Sequence, residues 1–195
     1  MQDFITAAAE IYRQTGDPAA VAFADLLGRA PGVIEPVETH APAVMAHFGT
    51  ALGAVDADPV LSVGGVDLEL LDWHEAGWAP DMPASFIGRY AYVEMVGPDG
   101  MVREEGFRFG LYLQAPETYY PRHWHTAEEL YFVLSGMAEW QQGERPAEVR
   151  RPGAYIRHGP DEPHAMRTFG EPLLAMWGWV GDLRVETYRI ENLAG

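Results

Sequence analysis

Tyr119-Tyr120-Pro121-Arg122-His123-Trp124-His125-Thr126-Ala127-Glu128-Glu129-Leu130-Tyr131 is the stretch on which the fold turns, and it runs on through Phe132-Val133-Leu134 into Ser135-Gly136. Successive side chains of an extended strand point to opposite faces, so His123 and His125 project the same way and both imidazoles can reach one ion. Glu129 follows four residues later, past a short break at Thr126-Ala127, and offers a hard oxygen donor. His164 comes after Pro163, in a second segment that opens Pro152-Gly153-Ala154-Tyr155-Ile156 and passes through a Gly-Pro turn. Three imidazoles and a carboxylate suit iron(II), manganese, nickel, cobalt or zinc, and do not suit calcium. A lone histidine in a strand is ordinarily a surface or satisfied core residue. Here four of the seven histidines fall within residues 123–164, two of them on one face, which favours a metal site. His158 could stand in for His164, but it precedes the Gly-Pro turn and is expected to be exposed. For His40, His47 and His74, in the helical or irregular part, the structural reading is the ordinary one.

Outward from this stretch, strand-like runs alternate with turn signals. Tyr90 to Met95 leads into Gly97-Pro98-Asp99-Gly100, a hairpin signature, and Phe107 to Leu113 is a further run. Leu130 to Leu134 ends at Ser135-Gly136, with Met137 to Gln141 expected as its hairpin partner. Ala154 to Arg157, Ala165 to Phe169, Leu173 to Val180 and Val185 to Ile190 complete the set. Many short strands at this spacing predict a β-sandwich or barrel. The first third reads as helical instead. Phe4, Ala8, Ile11 and Tyr12 recur at helix spacing. Asp17-Pro18 is an N-cap followed by proline at the first helical position, with Gly28 as the stop. A third helix is expected from near Pro42 through Val44, Met45, Phe48 and Leu52, ending by Gly53 and Asp56-Ala57-Asp58-Pro59. The expected division is a helical extension over residues 1–58 and a mainly β barrel over residues 59–195.

The 195 residues are enough for one domain with a sizeable core. Lys plus Arg total 13 against 29 Asp plus Glu, a formal charge of −16. Such a surface repels phosphate backbones and anionic membranes, so neither nucleic acid nor a membrane is expected as partner. An anionic substrate would need a local positive centre, which a bound metal can provide. With no cysteine, disulfides, thiolate zinc sites and cysteine nucleophiles are excluded. No signal-peptide pattern or long apolar run is seen, and a cytoplasmic location is expected.

His123, His125, Glu129 and Gly136, spaced His-x-His-x3-Glu-x6-Gly, resemble the first motif of the cupin superfamily, and Pro152-Gly153 through Pro163-His164 resembles the second. Two departures stand out. The loop Arg157-His158-Gly159-Pro160-Asp161-Glu162 is longer than the usual Pro-rich turn, and the glycine that precedes the histidine pair is missing. The resemblance implies a mainly β fold, a cupin (double-stranded β-helix) barrel with an α-helical N-terminal extension. The run from Tyr119 to Gly136 further resembles the cupin-type dimethylsulfoniopropionate lyases, the DddQ-like enzymes, as do the helical extension and the length. That resemblance implies cleavage of dimethylsulfoniopropionate to dimethyl sulfide and acrylate. It also implies one divalent transition metal held by His123, His125, Glu129 and His164, and Tyr131 as base or metal ligand. It is compatible with a homodimer, since cupins often pair through their sheets.

The residues themselves are compatible with that chemistry. In a regular strand Tyr131 shares the face of Glu129 and points at the metal. A free phenol with a pKa near ~10 is too weak a base at neutral pH, but a nearby dication favours the phenolate. The other reading of Tyr131 is core packing with a hydrogen-bonded hydroxyl. A sulfonium is a soft cation without hydrogen-bond donors, for which aromatic faces are the natural host. Tyr120, Trp124, Trp177 and Trp179 are the candidates, although the Trp177–Trp179 pair on one strand face also fits a core stripe. The resemblance favours Tyr120 as substrate-binding and catalytic. Strand parity instead pairs Tyr119 with His123, unless Pro121 breaks it. A different cupin enzyme, such as a dioxygenase or isomerase, and a non-catalytic small-ligand-binding cupin are the rival readings.

Overall fold

A computed structural model describes residues 2–30, 40–55, 71–75 and 82–191. The expected boundary at residue 58 lies outside them. Among the described residues three helices open the chain: α1 (Gln2–Gln14), α2 (Pro18–Leu27) and α3 (Phe48–Gly53), the last entered through a 3-10 turn over Ala43–His47. Asp17 caps α2 as its sequence predicts, its side chain accepting from the Ala19 and Ala20 amides, with Pro18 at the first helical position. Eleven strands follow among the described residues: β1 (Tyr90–Gly97), β2 (Val102–Arg103), β3 (Phe107–Gln114), β4 (Tyr119–Trp124), β5 (Ala127–Ser135), β6 (Ala138–Gln142), β7 (Glu148–Arg150), β8 (Tyr155–His158), β9 (His164–Thr168), β10 (Leu173–Gly181) and β11 (Arg189–Ile190). They form a six-stranded sheet, β2-β1-β3-β10-β5-β8, and a five-stranded one, β11-β4-β9-β6-β7. This is the double-stranded β-helical barrel.

The six-stranded sheet is covered on both faces, which explains why β3 is buried at all eight positions, Arg108 and Gln114 included. One face carries Phe107, Phe109, Leu111, Leu130, Leu134, Leu174 and Met176 against Phe4, Ile5, Tyr12 and Phe23 of the helices. Phe23 packs edge-on to Tyr12 and Phe107, with ring centroids 5.0 Å and 5.7 Å apart. It lies directly over Gly178, where any Cβ would overlap its ring. Burying each of these aromatic side chains contributes on the order of 2 kcal/mol. The opposite face of the same strands, with Tyr112, Tyr131, Val133, Ala175, Trp177 and Trp179, lines the barrel interior with Trp140, Ile156 and Met166. Alternation along β5 and β10 thus sends one set of residues to the helices and the other to the site.

Several turns differ from their sequence reading. Gly97 to Gly100 does turn, with Gly100 N bonded to Gly97 O, but β1 pairs antiparallel with β3, and the short β2 runs parallel beside β1. Ser135-Gly136 does not close a hairpin: β5 and β6 lie in different sheets, and the turn carries the chain from one to the other. Gly136 adopts φ +73°, and a Cβ there would overlap the Pro172 carbonyl oxygen, so only glycine fits. The expected strand over Val185 to Ile190 is a 3-10 turn, Val185–Thr187, followed by the two-residue β11. β7 carries no strand signal in the sequence because Glu148-Val149-Arg150 is an edge strand without a buried residue.

Candidate active site

The strands deliver the predicted residues to one end of the barrel interior. The β4–β9 ladder pairs Tyr120 with Met166 and His123 with His164, so β4 carries one extra residue between those rungs. This bulge falls at Pro121, which has no amide to donate to a ladder, and it shifts the parity by one. Tyr120, not Tyr119, therefore shares the face of His123, and the two rings stack 3.9 Å apart. Tyr119 lies elsewhere, beneath the Arg167 guanidinium. His125 sits just past the end of β4, yet its ring is 2% exposed. Glu129 and Tyr131 project inward from β5, and across the ladder from them stand Trp179 and Trp177 of β10. His164 opens β9, opposite His123. His123, Glu129 and His164 each present a ligand atom within 4.8 Å of the other two. His125 joins through Nε2, 3.4 Å from Glu129 Oε2.

The hydrogen bonds around these rings fix which nitrogens face inward. Nδ1 of His123 lies 2.8 Å from Pro121 O, Nδ1 of His125 3.0 Å from Ala127 O, and Nδ1 of His164 2.9 Å from Glu162 O. A carbonyl only accepts, so each Nδ1 carries a proton and each Nε2 is left for the interior. Nε2 of His164 is buried without a hydrogen-bond partner, although Glu129 Oε2 lies 3.0 Å away. Burial, then the neighbouring His164, pushes the His123 imidazole well below its ordinary value and leaves it neutral. Burial lifts the Glu129 carboxyl, but His125 and His164 outweigh it and hold the group well below the usual carboxylate range. One or two protons on Nε2 atoms cannot satisfy three rings and a carboxylate together; a dication among them can. Outward Nδ1–H groups held by backbone carbonyls are how metal-binding imidazoles are oriented. The donor set thus fits a divalent metal, and no further donor is needed.

Around this cluster the cavity is walled by aromatic rings: Tyr90, Tyr92, Tyr112, Tyr120, Tyr131, Trp177, Trp179 and Tyr188, with Glu94, Arg108 and Val185 alongside. Tyr131 is buried and lines the same cavity as Glu129. Burial first, and Glu129 next, push its phenol well above the ordinary value. The Tyr120 and Tyr188 hydroxyls lie 2.7 Å apart. Trp179 donates its indole N–H to Glu129 Oε1 at 2.8 Å, whereas that of Trp177 goes to Leu111 O.

Two expectations need correction. Trp124 does not line the cavity; alternation from His123 turns it to the other face of β4, where it is half-buried beside β11. His158 is not exposed but fully buried, accepting from the Trp140 indole N–H at 3.0 Å and stacked on His164 at 3.9 Å. Tyr188, Tyr90 and Tyr92 are cavity residues that sequence reasoning does not single out. Tyr188 follows an irregular turn that no periodicity marks, and the other two carry only a strand signal.

The family model for dimethylsulfoniopropionate lyase matches residues 31–175. The dimethylsulfoniopropionate lyase DddQ of Ruegeria pomeroyi is 31% identical over 134 residues, 69% of this chain and 64% of the relative, so the match spans less than two-thirds of the relative's length. The crystal structure of the Ruegeria pomeroyi DddQ superposes with a TM-score of 0.76 at 24% identity, over 99% of this chain and 98% of that one. A structure from a study of the lyases RdDddP and RnDddQII superposes with a TM-score of 0.77 at 24% identity, over 96% and 95%. At that identity the superpositions establish the fold; the family rests on the sequence. The chain belongs to the dimethylsulfoniopropionate lyase family of cupin-fold proteins.

Proposed function

We propose that the protein is a metal-dependent carbon–sulfur lyase that splits dimethylsulfoniopropionate into dimethyl sulfide and acrylate by β-elimination. The observation that carries the reading is the place of Tyr131: a buried phenol on the same face of β5 as Glu129, beside three inward-turned imidazoles, in a cavity walled by aromatic rings. His123, His125, Glu129 and His164 are the proposed metal ligands, and iron(II), zinc, manganese, nickel and cobalt each accept such donors. With a divalent metal bound among these four, the site gains the positive charge that favours a phenolate and holds the substrate carboxylate.

Without such a charge Tyr131 stays protonated, since burial and Glu129 both raise it. As a phenolate its oxygen takes a proton from the carbon next to the substrate carboxylate. The freed electron pair forms the carbon–carbon double bond, the bond from the next carbon to sulfur breaks, and dimethyl sulfide leaves uncharged. The faces of Trp177, Trp179, Tyr112 and Tyr120 receive the sulfonium, which has no hydrogen-bond donors to satisfy. Tyr120, fixed by its stack on His123 and its hydroxyl contact with Tyr188, is the second acid–base candidate on that side.

The test is headspace gas chromatography of chelator-treated protein reloaded with each of the five metals and given dimethylsulfoniopropionate. Dimethyl sulfide should appear with at least one metal, in step with acrylate. No gas above a protein-free control with any of them overturns the assignment.

A further inference from the structure

Outside the active site, His40, Asp72 and His74 come together although 32 residues separate His40 from Asp72. His40 Nδ1 lies 2.6 Å from Asp72 Oδ1, and His74 Nε2 lies 2.9 Å from Asp72 Oδ2. All three present a ligand atom within 4.8 Å of one another, and the two imidazole rings are 5.4 Å apart. We propose that these three residues form a second divalent-metal site, for zinc or a neighbouring late transition ion, separate from the active-site cluster.

The donor chemistry is that of a two-histidine, one-carboxylate site, which imidazole-preferring metals occupy with one or more positions left for water. Tetrahedral zinc with arms of about 2.0–2.1 Å sets its ligand atoms roughly 3.3 Å apart. The present nitrogen–oxygen distances, 2.6 Å and 2.9 Å, fall roughly 0.7 Å and 0.4 Å short of that. The His40 and His74 side chains are 56% and 42% exposed, so both rings can swing by that amount, while Asp72 is more enclosed at 17%. The nitrogens that now donate to the carboxylate would pass their protons to the far side of each ring and turn lone pairs to the ion. His74 is anchored for this. Its backbone forms a two-way bridge with Tyr92 of β1, His74 N to Tyr92 O at 2.8 Å and Tyr92 N to His74 O at 2.9 Å.

The surroundings favour a cation. Asp72 and His74 border a cavity that also contains Glu94, Asp99 and Arg108. There Arg108 is shared between Glu94 at 2.5 Å and Asp99 at 2.9 Å, one cation for two carboxylates. Tyr92, Glu94 and Arg108 line the active-site cavity as well, so the ion would sit beside its wall. It would clamp residue 40 to the segment that bridges β1.

Chelator-treated protein is equilibrated with zinc alone at low micromolar free concentration, and bound zinc is counted by elemental analysis. Wild type should hold two ions per chain, His40→Ala one, His164→Ala one, and the double variant none. Truncating an exposed side chain leaves the core intact, so His40→Ala is read against an unchanged circular dichroism spectrum. Asp72→Asn should also lose one ion. If His40→Ala keeps the wild-type count the proposal is overturned, and the trio is a hydrogen-bonded clamp only. If instead the active-site assignment fails, His164→Ala leaves the count unchanged while His40→Ala still lowers it.

Discussion

Replacing Trp179 by Phe should weaken metal binding without removing any ligand. The Trp179 indole N–H donates to Glu129 Oε1 at 2.8 Å, and the pair faces each other across the β5–β10 ladder. A buried hydrogen bond to a charged group contributes about 1.5–3 kcal/mol. Disturbing the partner that orients a metal ligand typically lowers affinity by about 10–100-fold. That is about 1.4–2.7 kcal/mol at 1.36 kcal/mol per tenfold. The two ranges overlap, so the loss should fall within them. Phenylalanine keeps a ring against His125, whose centroid is 4.2 Å from that of Trp179, so packing changes less than the hydrogen bond does. Competition against a chromophoric chelator measures the affinity directly. Trp177→Phe is the matched control, because its N–H goes to Leu111 O and not to a proposed ligand. Unchanged affinity in Trp179→Phe, or equal losses in both variants, would refute the claim that this indole holds the Glu129 carboxylate in place.

Three further outcomes are expected. Tyr131→Phe should keep its metal but lose about 10²–10⁴-fold in turnover, the range of a missing general base; full dimethyl sulfide release in that variant removes Tyr131 from the chemistry. Gly136→Ala should lose roughly 2–4 kcal/mol of unfolding free energy, since φ +73° disfavours a side chain by about 1–2 kcal/mol and the added Cβ overlaps the Pro172 carbonyl. Urea unfolding checks this, and an unchanged midpoint contradicts it. Stability of the metal-free protein should fall as pH drops below about 6.5. Burial holds the His123 and His158 imidazoles well below their ordinary value, so the unfolded chain takes up their protons first. Each ring adds a slope of up to about 1.4 kcal/mol per pH unit until its folded-state value is reached. Thermal melts between pH 7.5 and 5.5 test the sign, and a flat profile rules it out.

The elements legible in the amino-acid sequence are those specified locally. Asp17-Pro18 announces α2 because the cap and the proline act within one turn. His123 and Glu129 can be placed in one cluster because their spacing is short enough for strand geometry to carry the inference. Residue chemistry then narrows the metal class, and the motif spacing points to the family that the family model also matches.

Relations between distant segments are not legible in this way. The choice of Tyr120 over Tyr119 depends on a bulge at Pro121 that exists only because β4 is laddered to β9. Trp179 reads as a core stripe or a substrate host, and becomes the donor to Glu129 only through the register of β10 on β5. His158 reads as exposed beside its turn, but tertiary packing seats it between Trp140 and His164. His40 and His74 read as ordinary residues until the fold sets Asp72 between them. Local patterns determine which residues share a strand face or begin a helix, because backbone geometry repeats over a few residues. Which faces meet depends on ladder register and the closing of the barrel, which are set by the packing of the whole chain, and that is where the partners of each site residue were decided.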